Sequence, residues 1–197
     1  RPLRINQAYG RIRLGEPITT AALTSGYESL SGFGEAYKKH TGAAPIHSQE
    51  KTMIYLSRIL SPLGPLMAAA TDEGICLLEF GDRRMLETQF ERIKKYFQAE
   101  ITPGEHPLLE KLSRQLQEYF QEGRKVFDIP LSYPGTAFQE VVWHTLLGIP
   151  YGETISYKQL AGRMGKPTAM RAVANANGDN RIAILIPCHR VIGADGT

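Results

Sequence analysis

The stretch Ile182-Ala183-Ile184-Leu185-Ile186-Pro187-Cys188-His189-Arg190-Val191 decides how the C-terminal part of the chain folds. Its first half is an unbroken aliphatic run, which predicts a short, fully buried strand over 182–186. Pro187 ends this strand, because proline has no N–H to donate to a sheet. Cys188 is therefore expected at the rim of a packed element, where a substrate can reach the thiol.

The residue types around Cys188 suit nucleophilic chemistry. A cysteine beside a base or a cation forms a thiolate at neutral pH, and the thiolate is the nucleophile. Neighbours in an extended segment point to opposite faces, so His189 is expected to need either a water or a bent chain to reach the thiol. The alternative is a small buried cysteine without chemistry, which is what most free cysteines are. The motif alone leaves both interpretations open.

The composition excludes several classes of protein. With 197 residues the chain is long enough for one large domain or two small ones, and 42% hydrophobic and 22% charged residues are ordinary for a soluble globular protein. No run approaches a membrane span and the first residues are not a signal peptide, so no membrane partner is expected. Two cysteines do not make a disulfide framework, so a reducing cytoplasm is expected, and five histidines without ligand spacing predict no metal.

Positive charge is concentrated near the C-terminus. The net charge is only +3, but residues 151–197 contain six basic residues against three acids. The basic residues are Lys158, Arg163, Lys166, Arg171, Arg181 and Arg190. This excess suits a polyanion such as DNA. A solvated helical face would explain the charge alone equally well.

The first block, residues 1–47, is predicted to be helical. A helix over 19–23 is followed by the turn Ser25-Gly26-Tyr27 and a second helix from about Leu30 to His40, which ends at Gly42–Pro45. Two helices joined by a short turn with a glycine are typical of a helix-turn-helix. A generic helical hairpin is the alternative.

The second block follows a polar link at 47–51. Strands flank the turn Pro62–Pro65, and a third strand, Ile75–Phe80, completes an antiparallel meander. Cys76 lies inside that third strand and is expected in the core. Helices are predicted over 83–97 and 107–120, where apolar residues recur at helical spacing.

The third block begins near Leu131 and is predicted to contain three helices with tight turns. Thr136 is the expected N-cap of the helix 137–147, with Glu140 near the capping-box position. A helix over 156–164 follows. The third helix, 168–177, has Pro167 at its start. Its small residues allow close approach of another backbone, and they are Ala169, Ala172, Ala174 and Ala176.

Four stretches of this block resemble the C-terminal domain of O6-alkylguanine-DNA alkyltransferases, the methylated-DNA–protein-cysteine methyltransferases. They are Gly135–Trp143, Ile149–Tyr157, Arg171–Ala174 and Ile186–Val191. Residues 53–130 are similar to the ribonuclease-H-like N-terminal domain of the same family. Residues 21–45 resemble the second helix-turn-helix of AraC-type regulators, so the whole chain resembles bifunctional Ada-type proteins.

The resemblance implies an α+β chain with three parts. Residues 1–47 would be the C-terminal half of an AraC-like helix-turn-helix domain. Residues 53–130 would be the ribonuclease-H-like α/β domain. Residues 131–197 would be a winged-helix-like, all-α DNA-binding alkyltransferase domain. The family continues after the cysteine motif with a glycine-rich substrate loop and a glutamate that orients the histidine. The sequence stops before them, so we expect a fragment truncated at both ends, whose own activity is in question.

The implied function is repair by direct, stoichiometric transfer of an alkyl group from O6-alkylguanine, with O4-alkylthymine as a second candidate lesion. By resemblance, Cys188 attacks the alkyl carbon, Tyr157 donates its hydroxyl to the base, and His189 takes the thiol proton through a water. Asn180 would hold the turn before the cysteine. The carbonyls of Cys188 and Val191 would read the base's amino group. The thioether product is stable, so no cofactor is expected.

The implied partner is double-stranded DNA, bound by a monomer. The third helix would enter the minor groove, and Arg171 would fill the gap left by the flipped nucleotide. A plain phosphate contact is the alternative for this arginine. Further DNA-binding residues implied by the resemblance are Ser156, Lys166, Thr168, Ala169 and Ala172. Promoter DNA is a further partner, through residues 18–45.

Three other functions compete with repair. The chain is alternatively a sequence-specific transcription regulator whose alkyltransferase part serves as a sensor. It is alternatively a non-catalytic binder of alkylated bases, a reading that the presence of Cys188 disfavours. A cysteine hydrolase is the weakest candidate, because no oxyanion-hole loop is evident in the sequence.

Overall fold

The computed structural model describes residues 2–13, 16–41, 45 and 53–193, which belong to two compact units, Arg1–Thr52 and Met53–Thr197. Except for Pro45, the predicted helix stop and the predicted polar link lie outside the described residues. The second unit begins directly with a strand.

The described residues of the first unit form helices α1 (Pro2–Arg13), α2 (Ile18–Thr24) and α3 (Leu30–Thr41). The two predicted helices and the turn between them are confirmed, while α1 is a helix that the prediction misses. Gly26 in the turn has φ +80°, a left-handed conformation that glycine adopts without strain. The buried core of this unit consists of Ile5, Ala8, Ile12, Ala21, Ala22, Phe33 and Tyr37.

The second unit opens with a sheet of four strands: β1 (Met53–Ser61), β2 (Gly64–Thr71), β3 (Gly74–Phe80) and β4 (Glu100–Pro103). The strand order is β3-β2-β1-β4, with β1, β2 and β3 antiparallel and β4 parallel to β1. The predicted meander is confirmed. The prediction misses β4, which has only four residues and ends on a proline.

One helix covers each face of this sheet. Helix α4 (Leu86–Phe97) packs against β3 and β4, and α5 (Pro107–Gln121) packs against β1 and β2. The second predicted helix is confirmed. The first begins at Leu86 rather than at Arg83, because residues 83–85 form a turn in which the Leu86 N–H donates to the Arg83 carbonyl at 3.0 Å.

Three more helices follow: α6 (Ala137–Leu147), α7 (Tyr157–Arg163) and α8 (Met170–Gly178). Helix α8 packs against both α6 and α7. The two-residue strands β5 (Ile155–Ser156) and β6 (Val191–Ile192) pair in parallel, so the chain entering α7 lies beside the chain leaving the cysteine motif.

Two predicted details of these helices are wrong. Helix α8 begins at Met170, so Pro167 and Thr168 lie in the preceding turn and Ala169 is the N-cap. The capping box of α6 pairs Thr136 with Gln139, not with Glu140. The N3 position is the one from which a side chain reaches back to the N-cap N–H.

The sheet and the C-terminal helices share one hydrophobic core. The Trp143 indole donates to the Ala176 carbonyl at 2.8 Å and so ties α6 to α8 inside it. The core joins sheet residues with residues of α5, α6, α7 and α8, among them Leu66, Ala68, Leu78, Leu112, Leu116, Val142, Trp143, Leu160 and Val173. The predicted domain limit near Leu131 therefore crosses a continuous core, and the three-part division stays a prediction.

The predicted strand over 182–186 is wrong. Ile182 makes an isolated bridge with Leu78 of β3, and the residues after it form turns. Ile184 has φ +70°, which a strand does not allow. All of 182–187 is nevertheless buried, as the apolar run predicts.

No helix in the described ranges is long and apolar enough to cross a membrane. Within those same ranges, no three His, Cys, Asp or Glu side chains are grouped as metal ligands would be.

Candidate active site

Cys188 lies on a short 3₁₀ turn, Cys188–Arg190, at the end of the buried segment. Its N–H donates to the Ile186 carbonyl at 2.8 Å, and the thiol-bearing residue is half-buried while His189 is exposed. The predicted place at the rim of a packed element is thus observed. The expected opposite orientation of the two side chains assumes an extended segment, and that assumption does not apply to a 3₁₀ turn.

Asn180 holds the backbone that leads to Cys188. Its Nδ2 donates to the carbonyls of Ile186, at 2.9 Å, and Ile182, at 3.4 Å, and its Oδ1 accepts from the Ile182 N–H at 3.0 Å. The side chain is almost fully buried. These bonds satisfy backbone groups that a strand would pair with a neighbour, which explains why the apolar run folds into turns.

Tyr157 and Cys188 meet at a third residue, Asn177. The Asn177 Nδ2 lies 3.5 Å from the Tyr157 Oη and 3.3 Å from the Cys188 carbonyl oxygen. Tyr157 begins α7, whose start is fixed by a capping box between Ser156 and Gln159. Asn177 is not among the site residues that the sequence predicts. Its only sequence signal is a polar residue that ends a helix of small residues shortly before Asn180.

The end of α8 is clamped by an arginine from the sheet part of the unit. Arg83 donates to the carbonyl of Gly178 at 2.9 Å and to that of Asn180 at 3.3 Å. A cation at this place satisfies orphan carbonyls and complements the helix dipole. Arg83 is also paired with the buried carboxylate of Glu79. Burial raises the pKa of Glu79, and the charge of Arg83 opposes that rise.

Asp179 adds a second attachment at the same place. Its carboxylate accepts from Arg92 of α4 and from Gln139 of α6, each at 3.0 Å. Residues 178–180 are therefore held by contacts from the turn before α4, from α4 and from α6. The segment between α8 and Cys188 is positioned by the surrounding fold rather than by its own propensity.

Arg181 is not part of the basic surface that the charge count suggests. It is almost fully buried, with its guanidinium 5.1 Å from the ring centroids of both Tyr96 and Trp143. Burial lowers the pKa of this guanidinium. Exposed positive charge in the region is provided by Lys158, Arg163, Lys166 and Arg171.

The predicted DNA-binding residues lie at the N-cap of α7, in the turn between α7 and α8, and on α8. Arg171 and Ala172 are exposed on α8, and Thr168 is exposed in the turn before it. Lys166 is exposed, with its ammonium 5.4 Å from the Phe138 ring centroid. Ala169 is half-buried at the N-cap. The last predicted DNA-binding residue, Ser156, accepts from the Gln159 N–H at 3.1 Å, which leaves its hydroxyl hydrogen free to donate.

The pKa of His189 is lowered, first by burial of part of its ring and second by the charge of Arg190. Although the residue as a whole is exposed, the packed part of the imidazole loses hydration. Arg190 itself is fixed, because it donates to the Ile149 carbonyl at 2.7 Å and lies over the Tyr151 ring. The neutral imidazole, which can accept a proton, is therefore favoured.

Comparisons with known proteins agree with this geometry. A family model of the 6-O-methylguanine DNA methyltransferase ribonuclease-like domain matches residues 54–133, and one of the DNA binding domain matches residues 137–197. The methylated-DNA–protein-cysteine methyltransferase of Methanosarcina barkeri is 42% identical over 146 residues, covering 73% of this chain and 85% of that protein.

Two further relatives extend the comparison. The bifunctional transcriptional activator/DNA repair enzyme Ada of Escherichia coli is 34% identical over 186 residues, which are 93% of this chain and 52% of Ada. The chain thus spans about half the length of that relative. The structure of Mycobacterium tuberculosis OGT in complex with DNA has a TM-score of 0.60 and 39% identity, covering 74% of this chain and 81% of that one.

The chain belongs to the methylated-DNA–protein-cysteine methyltransferase family. The fold class is a mixed α+β one, with a ribonuclease-like domain followed by a helical DNA-binding domain. The resemblance inferred from the Cys188 motif is thereby confirmed. The AraC-type assignment of residues 1–47 stays a prediction.

Proposed function

We propose that this chain repairs DNA by transferring an alkyl group from O6 of guanine to Cys188. One observation carries the proposal. The cysteine lies on an accessible turn whose backbone is joined, through Asn177, to the hydroxyl of Tyr157. A nucleophile and a proton donor are thus held on one rigid frame, as a displacement at carbon requires.

In the proposed reaction the Cys188 sulfur attacks the alkyl carbon. The sulfur–carbon bond forms as the bond between that carbon and guanine O6 breaks, and the electron pair of the broken bond stays with the guanine. The Tyr157 hydroxyl gives a proton to the ring and recovers one from solvent. The thiol proton leaves through a water to His189. The products are an S-alkyl cysteine and normal guanine, and each chain reacts once because a thioether is stable.

The electrostatics of His189 support its role as the base. A base must be neutral before it accepts a proton, and the lowered pKa keeps the imidazole neutral at pH values somewhat below its ordinary 6.5. Since both burial and Arg190 favour the neutral form, the histidine is ready to accept at physiological pH.

The lesion must leave the base stack to reach Cys188. Extruding a nucleotide costs a few kcal/mol, which contacts with the duplex must offset. Exposed Arg171 on α8 supports such contacts, because a guanidinium can stack in the vacated space and donate hydrogen bonds at once. The four exposed cations around α7 and α8 suit the phosphate backbone.

We propose the cytoplasm, at the nucleoid, as the site of action.

Intact-mass measurement tests the proposal. The chain is mixed with a duplex that contains O6-methylguanine, and the expected result is one added methyl group per chain, on the Cys188 peptide. Cys188→Ser is expected to gain none. If the wild-type chain and a version extended beyond Thr197 both stay unmodified while still binding the duplex, the repair proposal is wrong and lesion binding or regulation takes its place.

A second function, sequence-specific DNA binding by residues 18–45, is favoured by the similarity to Ada over 93% of the chain and by the geometry of α2, the Gly26 turn and α3. We propose that this segment is the helix-turn-helix of a transcription regulator. Lys38 and Lys39 are exposed on α3, where they suit phosphate contacts.

Selection from a pool of random duplexes tests this second function. The chain is expected to enrich one sequence motif. Lys38→Ala with Lys39→Ala is expected to weaken binding to that motif and to leave methyl transfer unchanged, while Cys188→Ser is expected to do the reverse. The regulatory proposal is abandoned if no motif is enriched, or if the double variant binds the motif as tightly as the unmodified chain.

A further inference from the structure

Asn177 is a buried polar residue at the end of α8 to which the proposed reaction assigns no task. Only 7% of its surface is exposed. Its Nδ2 is the group that lies between the Cys188 carbonyl and the Tyr157 hydroxyl, at 3.3 and 3.5 Å. Its Oδ1 is buried and meets no donor among the described residues. This combination calls for a functional explanation.

The surroundings decide which way the amide points. A backbone carbonyl only accepts hydrogen bonds, so the amide nitrogen and not the oxygen must face Cys188. The second hydrogen of the same nitrogen then faces the Tyr157 Oη. Tyr157 is therefore the acceptor in this pair.

This assignment fixes how the Tyr157 hydroxyl is used. A phenol has one hydrogen to donate and two lone pairs that accept. When one lone pair accepts from Asn177, the hydroxyl hydrogen cannot point at Asn177 and is left for another partner. A proton donor toward the substrate needs this state.

We propose that Asn177 is a positioning residue, which keeps the Tyr157 hydroxyl in its donor orientation and ties it to the Cys188 turn. The inference rests on the proposed alkyl transfer and deepens it. Asn177 acts through Tyr157 and the backbone, without itself exchanging a proton with the guanine. In the free protein both bonds are long, and catalytic hydrogen bonds of this kind shorten when the substrate is bound.

The unpartnered Oδ1 shows that stability does not account for this residue. A buried acceptor without a donor destabilises the folded state, whereas a leucine, which branches at the same atom although it is larger, would not carry that cost. The Cys188 carbonyl also accepts from the Val191 N–H, so it keeps a partner without Asn177. The fold alone would do as well or better with an apolar side chain.

Two variants test the inference by single-turnover methyl transfer, from an O6-methylguanine duplex and from the free base, which needs no groove contact. Asn177→Leu is expected to lower the rate by about tenfold, a part of the 10²–10⁴-fold that a positioned proton donor contributes. Its Tm is expected to hold or rise. Asn177→Asp keeps the shape but offers only acceptors, so it captures the hydroxyl hydrogen and is expected to be slower still. The aspartate variant also gives the test should the leucine variant fail to fold.

Asn175→Leu is the matched control for the assay with the free base. It places the same substitution on the exposed side of α8 and is expected to react at the unmodified rate there. A double-mutant cycle that combines Asn177→Leu with Tyr157→Phe then separates an effect on the Tyr157 hydroxyl from an effect on packing. Once the hydroxyl is gone, Asn177→Leu is expected to cause little further loss of rate.

The outcomes separate this inference from the function on which it rests. If the unmodified chain, alone or extended beyond Thr197, transfers no methyl group, the proposed function fails first. If it transfers and Asn177→Leu is as fast, Asn177 does not position Tyr157. The inference is also wrong if the leucine variant loses the same factor with and without the tyrosine hydroxyl, or if Asn177→Asp is faster than Asn177→Leu.

Discussion

One apolar run of this chain contains a cysteine and another ends two residues before one, yet the two runs fold in different ways. Ile75–Leu78 is the middle of β3, with its backbone paired to β2. Ile182–Ile186 forms turns, with its backbone bonded largely to the side chain of Asn180 and to itself. Composition does not distinguish the runs. The supply of hydrogen-bond partners does, because every buried N–H and C=O needs one.

The two cysteines differ in exposure as a result. Cys76 is fully buried in β3, and its burial raises the pKa of the thiol to about 12, so it stays protonated. Cys188 is half-buried on its 3₁₀ turn and open to a substrate. The same type of side chain is part of the core in one region and the proposed nucleophile in the other. A strand packed on both faces hides its side chains, while a turn at the edge of the core exposes them.

The two regions also depend on each other. The outer edge of β3 binds the second run, since the Leu78 N–H donates to the Arg181 carbonyl at 2.9 Å and the Ala183 N–H donates to the Leu78 carbonyl at 2.7 Å. Unpaired strand edges need such a cover. Strand β3, which contains the buried Cys76, therefore supports the segment that leads to Cys188.

The largest effect is expected when the two cysteines are replaced one at a time. Cys188→Ser abolishes methyl transfer, because a serine hydroxyl is not ionised at neutral pH, and intact-mass measurement checks this. Cys76→Ala is the matched control. It is expected to keep transfer and to lose about 1 kcal/mol of stability, as one buried sulfur is removed. Loss of transfer in Cys76→Ala at full stability would break the comparison.

Asn180→Ala tests why the second run turns. It leaves the Ile182 N–H without a partner, while the carbonyls of Ile182 and Ile186 keep the N–H groups of Ile186 and Cys188. We expect a loss of about 3 kcal/mol in urea unfolding, from the one unpaired buried N–H and the cavity left by the shorter side chain. Transfer is expected to fall about a hundredfold at temperatures where the variant is folded. Unchanged transfer would mean that the turns do not need this side chain.

Arg83→Met tests how strongly the sheet part holds the cysteine segment. It leaves the Glu79 carboxylate buried and unpaired, and we expect a loss of about 3 kcal/mol, the lower end for a broken buried pair since Arg83 is one-third exposed.

The pH dependence of that loss follows from Glu79. Its folded-state pKa is already raised, and removing Arg83 raises it further. The deficit is therefore largest at neutral pH and shrinks as pH falls through this raised pKa toward the ordinary 4.5, because the carboxyl then becomes neutral. Unfolding curves at several pH values check this, and a deficit that grows toward low pH would contradict it.

The smallest effect concerns His189. Arg190→Gln removes the second of the two causes that lower the pKa of His189, so this pKa rises toward 6.5. The imidazole then becomes protonated at a higher pH, and the acid limb of the pH–rate profile of methyl transfer moves to higher pH. Above that limb the rate is expected to stay near that of the unmodified chain. A limb that stays in place would exclude His189 as the titrating base.

The sequence predicts most of the regular elements but not their attachments. The turn at Pro62–Pro65, the apolar spacing of α5 and the cap at Thr136 are local signals, and the structure confirms the elements that they mark. Helix α1 and the short strand β4 are missed, since neither has a distinctive pattern. Arg181 is counted as surface charge although it is buried between two rings, because which charges face inward depends on packing across the chain.

The candidate site also has one part that the sequence indicates and another that depends on tertiary contacts. The sequence by itself determines the family and points to the proposed nucleophile, because Pro187-Cys188-His189 and the motifs before it are contiguous residues whose types indicate the chemistry. Only the tertiary structure decides that Asn177 lies between Tyr157 and Cys188, and that Arg83 and Asp179 fix the segment between them. These contacts join residues up to 97 positions apart. A local pattern cannot encode them, since they exist only after the sheet and the helices share one core.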